Sequence, residues 1–284
     1  MKGILNIGNS CYLNSILQLL FNSSTFCKII SNNLSNTTNV INIINDNINN
    51  YNSMNNKYFN PTNIKTIIDS YTTIFRGTDQ NDSSELLIYL FEMIEKIVPD
   101  IIHNEFALHC NINIKCKYLQ CLHTSMHIEK NLMLYLPLTP TLDDSYRMYK
   151  SIERLQGNNM YDCDNCKKIR NNPKTIARKK LEMVKWPNNL IIVIKRFDNM
   201  MKKNNNMISI PLEWRHNYKL RGGVIHMGNL RGGHYVYYGY SDKMNKWFFA
   251  NDSDISLIED IHVNDFVNTT ISKSYILHYE KIMY

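Results

Sequence analysis

No stretch of the sequence approaches the ~20 apolar residues that a membrane-crossing helix requires. The longest strand-like apolar run is Leu190 to Ile194, so no membrane partner is expected. No leader is expected either: the first chemical motif begins at Gly3, which would leave no room for a cleaved signal peptide ahead of it. Seven cysteines without a secretion signal point to a reducing compartment, cytoplasmic or nuclear, where thiols act as ligands or nucleophiles. Aromatic residues are missing from the basic clusters Lys167-Lys168-Ile169-Arg170, Arg178-Lys179-Lys180 and Lys202-Lys203, although the net charge is +7. Without interleaved aromatics, these clusters in turns and loops read as solvated faces. No nucleic-acid partner is expected.

What is present divides into three regions. Residues 1–105 read mainly helical. An apolar helix follows Cys11, and an amphipathic helix spans about 83–98, with Leu86, Leu87, Leu90, Met93, Ile94 and Ile97 at helical spacing. Between them the Asn-rich stretch from Asn32 to about Asn60 reads as loop with weak helix. Residues 106–185 switch to strand-like alternation and carry most of the remaining cysteines; residues 186–284 are strand-rich. The wealth of Asn, Ile, Lys and Tyr suits an AT-rich genome, that of a virus or a parasite acting inside a host cell.

The chemistry starts at Cys11, at the first turn of its helix and behind a loop with two glycines. The unpaired N–H groups and positive end of a helix N-terminus favour thiolate, the nucleophilic form. A base is expected in His234, which opens an alternating strand. The next strand, Lys246 to Ala250, ends at Asn251-Asp252. Strands this close predict a hairpin that brings His234 and Asn251 together. Cysteine, histidine and an orienting amide, in that chain order, form a papain-type constellation. A second cluster is expected from Cys116 and Cys121 with Cys163 and Cys166, two short-spaced pairs that suit a four-thiolate zinc site. Cys110 and His123 compete as ligands, Cys110 in place of Cys116. Cys27 reads as a buried small hydrophobe.

These residues carry a resemblance. Asn6-x-Gly8-Asn9-Ser10-Cys11-Tyr12-x-Asn14-Ser15-x-Leu17-Gln18 resembles the cysteine box of the ubiquitin-specific proteases. Gly233-His234-Tyr235-x-x-Tyr238, with Trp247 and Asn251-Asp252, is similar to their histidine box. Gln80-x-Asp82-x-x-Glu85-Leu86 resembles their middle motif, and Pro187-x-x-Leu190 with Lys195-Arg196-Phe197 the strand that opens their palm. The resemblance implies an α+β papain-like cysteine protease forming a single catalytic domain over 1–284. Its parts would be a helical thumb (about 1–105), zinc-binding antiparallel β fingers (about 106–185) and a β-rich palm (about 186–284).

It implies a thiol hydrolase that cleaves after the C-terminal glycine of ubiquitin, acting as a monomer on ubiquitin and ubiquitinated proteins. Zinc would be structural, and the chemistry needs no cofactor. Cys11, His234, Asn251, Asp252 and the oxyanion donor Asn6 would be catalytic. Asp252, beside Asn251, is expected to substitute for it in part. Gln80, Asp82, Glu85, His226, Tyr235 and Gly233 would bind substrate, the two acids facing the arginines of the ubiquitin tail. Asp82-x-x-Glu85 also reads as a helix capping box. The alternatives are an isopeptidase for another Gly-Gly modifier, a ubiquitin-binding pseudo-protease, and a papain-like processing protease. Leu220-Arg221-Gly222-Gly223 and Leu230-Arg231-Gly232-Gly233 repeat the end of ubiquitin, and glycine turns account for them better than self-cleavage does.

Overall fold

The apolar run Leu190 to Ile194 decides the architecture. In the strand Asn189–Lys195, successive side chains point to opposite faces, and every residue up to Ile194 is buried. Leu190, Ile192 and Ile194 join one core, while Ile191 and Val193 join another. A strand without a wet face needs cover on both sides, and the chain supplies it. A computed structural model describes residues 1–35, 40–54, 56–198, 200, 202–229 and 232–282.

The strand belongs to an eight-stranded sheet. Its order is Asp254–Leu257, Lys246–Asn251, Gly232–Ser241, Tyr218–Asn229, Ser274–Lys281, Asn189–Lys195 and Leu134–Pro137, with Glu213–Trp214 paired to Tyr218–Asn229. All pairings are antiparallel except the last, between Asn189–Lys195 and Leu134–Pro137. Helices drawn from residues 11–106 cover one face, and Leu142–Tyr149 and Val263–Thr269 pack on the other. The helix Cys11–Phe21 is buried at every position and packs on Gly232–Ser241, Tyr218–Asn229 and the helix Ser83–Glu95. A separate four-stranded antiparallel sheet, Thr124–Asn131, Leu108–Cys116, Ala177–Lys185 and Glu153–Leu155, stands beyond the helices and the large sheet. Helices and sheets are thus segregated, the α+β class expected. No helix among the described residues is long and apolar enough to cross a membrane.

Two local expectations are corrected. Within the Asn-rich stretch, Val40–Asn52 is a regular helix with Ile41, Ile44, Ile48 and Tyr51 buried. Spacings of three and four place these on one stripe, and packing that stripe outweighs the poor helix propensity of asparagine. Residues 36–39 and 55 of the stretch lie outside the described residues. Gly222 and Gly223 form no turn: they are buried inside the strand Tyr218–Asn229, while Leu230 and Arg231 of the second repeat lie outside the described residues.

The N-terminus is fixed by close approach. The strand Gly3–Ile4 pairs in parallel with Tyr58–Phe59, and a Cβ at Gly3 would lie 1.9 Å from the carbonyl oxygen of Ser253. Only glycine fits there.

Arg196 follows the central strand and is buried at 2% exposure. Among the described residues its guanidinium meets no carboxylate. It donates to the carbonyls of Ser274 (2.7 Å), Asn206 (2.8 Å), Ser272 (3.1 Å) and Asn204 (3.3 Å). Burial pulls its pKa down to about 10, still charged at neutral pH. Arg196→Met should therefore leave buried acceptors unpaired and lower the unfolding free energy by about 3 kcal/mol, measured by urea titration. A loss below about 1 kcal/mol would mean that these carbonyls find other donors.

Candidate active site

The loop before Cys11 is wound around one side chain. The Oδ1 of Asn6 accepts from Gly8 N–H (3.1 Å), Ser10 N–H (3.2 Å) and Ser10 Oγ (3.3 Å), while Ser10 Oγ accepts from Ile7 N–H at 2.9 Å. Gly8 and Asn9 take positive φ, 110° and 45°, to make this turn. With its oxygen pinned, the amide nitrogen of Asn6 points outward and donates to Asp252 Oδ2 at 2.8 Å. That engages one of its two hydrogens. Cys11 follows as the first helical residue, 4% exposed, and helix geometry leaves its own N–H without an intrahelical acceptor.

The predicted hairpin forms. Gly232–Ser241 pairs antiparallel with Lys246–Asn251, and His234 Nε2 lies 2.6 Å from Asn251 Oδ1. The other ring nitrogen is left for Cys11. The pKa of His234 is pushed up to about 9, first by its hydrogen bond with the Cys11 side chain, against desolvation, and then by Asn251 and the negative charges of Cys11 and Asp252. The ring is therefore poised as an imidazolium beside sulfur.

Asp252 is not brought onto the imidazole. Its carboxylate accepts from Asn6 and, at 2.7 Å, from Asn14 Nδ2, so the expected substitution for Asn251 is not what its contacts favour. Asn14 lies within the cysteine box, where its sequence position alone marks no role. It is an amide side chain, 2% exposed, on a helix buried at every position.

A cleft of about 500 Å³ opens beside these groups. Asp82 caps the helix Ser83–Glu95: its Oδ1 accepts from Ser84 N–H (2.7 Å) and Glu85 N–H (3.1 Å). Its Oδ2 accepts from the hydroxyls of Tyr275 (2.8 Å) and Tyr235 (3.2 Å). Tyr275 comes from the last strand, and nothing in the sequence singled it out. Glu85 does not complete the capping box. Among the described residues its carboxylate has no hydrogen-bond or ion-pair partner. It lines the cleft, and desolvation followed by the charge of Asp82 raises its pKa.

Gln80 spans the cleft. Its Nε2 donates to Gly233 O at 2.9 Å, and its Oε1 accepts from Gly233 N–H at 3.0 Å. A Cβ on Gly233 would lie 1.9 Å from His226 Nε2, so the imidazole of His226 occupies the place of a side chain there. His226 packs on Tyr235 with centroids 4.6 Å apart and the rings tilted by 44°. Burial, then the charge of Lys203, lowers its pKa to about 4 and keeps it neutral.

The four predicted cysteines converge at the tip of the small sheet. Cys116 ends the strand Leu108–Cys116, Cys121 sits in the following turn, and Cys163 and Cys166 flank the start of the helix Asp164–Arg170. Their sulfurs all lie within 4.8 Å of one another, with Cys116–Cys166 at 3.5 Å and Cys121–Cys163 at 3.6 Å. Four thiolates about 2.3 Å from a tetrahedral zinc would be about 3.8 Å apart, so the set fits such an ion. Cys110 and His123 are not in the cluster; the backbone oxygen of His123 accepts from Cys116 N–H at 2.8 Å. Cys27 is half-buried, more exposed than expected, with its thiol near the carbonyl of Phe21.

Comparison with known proteins adds to this geometry. Ubiquitin carboxyl-terminal hydrolase 4 of Vanderwaltozyma polyspora is 23% identical over 345 residues, covering 88% of this chain and 38% of that protein. Ubiquitin carboxyl-terminal hydrolase 5 of Saccharomyces cerevisiae is 24% identical over 376 residues, covering 99% and 44%. The chain thus spans about two fifths of the length of these relatives. Among solved structures, a SAGA DUB module of Ubp8, Sgf11, Sus1 and Sgf73 bound to monoubiquitin matches with a TM-score of 0.79 at 22% identity, over 100% of this chain and 69% of that one. The module bound to ubiquitin aldehyde matches at 0.78, also at 22% identity, over 100% and 70%. At that identity the likeness is one of fold. The family model for ubiquitin carboxyl-terminal hydrolases matches residues 2–279, which takes in thiol, imidazole, amide and cysteine cluster alike, and the chain belongs to that family.

Proposed function

We propose that the chain is a thiol hydrolase that cleaves the isopeptide or peptide bond after the C-terminal glycine of ubiquitin. The observation that carries this reading is the His234–Asn251 hydrogen bond, with Cys11 close enough to raise the pKa of the ring. Family membership supports it, as do the ubiquitin-bound neighbours of the same fold. In this reading residues 1–105, 106–185 and 186–284 act as thumb, fingers and palm of one catalytic domain, which works as a monomer.

The steps follow from the geometry. The Cys11 sulfur attacks the carbonyl of the terminal glycine, and the oxyanion is met by the free amide hydrogen of Asn6 and the N–H of Cys11. The His234 imidazolium then gives its proton to the leaving lysine amine. Water hydrolyses the thioester with His234 as base. Asn251 holds the ring in orientation, and Asp252 acts as a positioning residue by aiming Asn6. His226, Tyr235 and Gly233 form a narrow slot that suits the side-chain-free glycines. Glu85, exposed in the cleft and without an ion-pair partner among the described residues, is the acid fitted to a tail arginine, because Asp82 is already committed to the helix cap and two tyrosines. Cys116, Cys121, Cys163 and Cys166 would hold a structural zinc that tethers the tip of the fingers and takes no part in the chemistry. Reduced ligands of this kind fit the cytoplasm or nucleus.

A ubiquitin probe with a C-terminal electrophile should add covalently to Cys11, read by intact mass, and leave Cys11→Ala unlabelled. Labelling only by a probe built on another Gly-Gly modifier would overturn the ubiquitin assignment. Failure of every probe would overturn the enzyme reading.

The pH profile gives a second test. The His234 imidazolium, with its pKa near 9, supplies the leaving-group proton, so kcat/KM should fall as pH rises through about 9. Asn251 contributes to raising that pKa, and Asn251→Ala should move the alkaline limb to lower pH. An unmoved limb would mean that Asn251 does not act through the ring.

Elemental analysis should find one zinc per chain. Cys163→Ser should lower both the metal content and the Tm, and unchanged metal content would remove the cysteine cluster from this reading.

A further inference from the structure

The positive charge of the chain is unevenly placed. Residues 106–185 hold fourteen Lys and Arg against seven Asp and Glu, an excess equal to the +7 of the whole chain. Part of this excess converges on a cavity of about 530 Å³ between the small sheet and the cysteine cluster. Its walls include Lys117, Tyr118, Arg154, Arg170, Lys174 and Arg178, and among the described residues no carboxylate lines it.

Strand register makes the arrangement costly without an anion. Arg154 lies directly opposite Arg178, and Arg178 lies opposite Lys115 on its other side. Three cations thus stand in one row across three strands, and like charges directly opposite one another destabilise a sheet. Nearby cations are neutralised: Lys179 by Glu153, Lys180 by Glu182, Lys174 by Asp162. Lys117, Arg154 and Arg178 have no ion-pair partner among the described residues. The wall opposite the sheet is held in shape. The Arg170 guanidinium sits 4.7 Å from the Tyr118 ring centroid and donates to the carbonyl of Lys174.

We propose that this cavity binds a compact ligand carrying two or more phosphate groups. Three guanidinium forks match phosphate oxygens in bidentate fashion, and the volume is that of a small-molecule site. A single-stranded nucleic acid would need exposed rings to stack on, and the one aromatic ring here is covered by Arg170. The ligand would join the sheet, through Arg154 and Arg178, to the cysteine cluster, through Lys117 and Arg170. The site is separate from the cleft of Cys11, and the inference does not rest on the hydrolase reading.

Isothermal titration of the full chain with inorganic tripolyphosphate, and in parallel with inositol hexakisphosphate, at roughly 0.15 M salt tests it. Either compound should bind at one equivalent per chain, and the tighter of the two identifies the source of the phosphates. Arg154→Ala with Arg178→Ala should weaken binding about tenfold or more. Lys130→Ala with Lys185→Ala removes the same charge from the same sheet outside the cavity, and should change binding less than about twofold. Equal weakening in both variants would overturn the site, as would no binding at that salt. Tighter binding of a single-stranded oligonucleotide or a glutamate-rich peptide than of either phosphate compound would also overturn it. If the arginine variant does not fold, Lys117→Ala against Lys130→Ala makes the same comparison.

Discussion

Cys11 and His234 come from distant parts of the chain and from different layers, and one carboxylate fixes how the layers meet. Asp252 takes an amide hydrogen from Asn14 on the nucleophile helix and another from Asn6 in the loop before it. Its backbone oxygen takes the N–H of Ile4 at 2.8 Å. Its neighbour Asn251 holds the imidazole. A single turn after the strand Lys246–Asn251 therefore sets sulfur, ring and amide donor relative to one another. The turn requires φ of 49° at Asp252, a left-handed conformation that Asp tolerates better than most residues. A carboxylate suits the position because it offers two acceptor oxygens to two amide donors, whereas an asparagine would present a donor to one of them.

The same economy governs the cleft. Asp82 satisfies the start of one helix with one oxygen and clamps two tyrosine hydroxyls with the other. The clamp ties the helix Ser83–Glu95 to the strands of Tyr235 and Tyr275, so the two walls are joined before any ligand arrives. Prior ordering of this kind lowers the entropy cost of binding an extended peptide. Glu85, one turn on, has no hydrogen-bond or ion-pair partner among the described residues, and its raised pKa marks a group that would gain from a cationic partner.

Much of this was legible in the sequence because it rests on short-range signals. The hairpin of His234 and Asn251 follows from strand spacing, the cysteine cluster from two close pairs, and the doubly buried strand from the run Leu190 to Ile194. What was not legible depends on partners far away in the chain. The contact of Asp252 with Asn6 and Asn14, and of Tyr275 with Asp82, has no local signature, because only the docked layers bring those atoms within reach. The helix Val40–Asn52 was hidden for a different reason: asparagines dominate its composition, while its stability comes from four apolar side chains on one stripe.

The two sheets differ in what holds them, and that difference gives the cysteines their place. The large sheet has an extensive core on each face. At the tip of the small sheet the buried apolar cluster among the described residues is Cys116, Cys163 and Cys166, with Tyr118, Cys121 and Tyr161 packed on it and partly buried. A cluster that small buries too little apolar surface to offset the entropy of ordering its two turns and short helix. Cross-linking is the remaining means, and with all seven cysteines present as free thiols the four converging sulfurs offer it through a metal. The cationic row beside them adds repulsion to the same tip. The region with the least hydrophobic support is thus also the one where a bound cation among the thiolates, and an anion among the arginines, would contribute most.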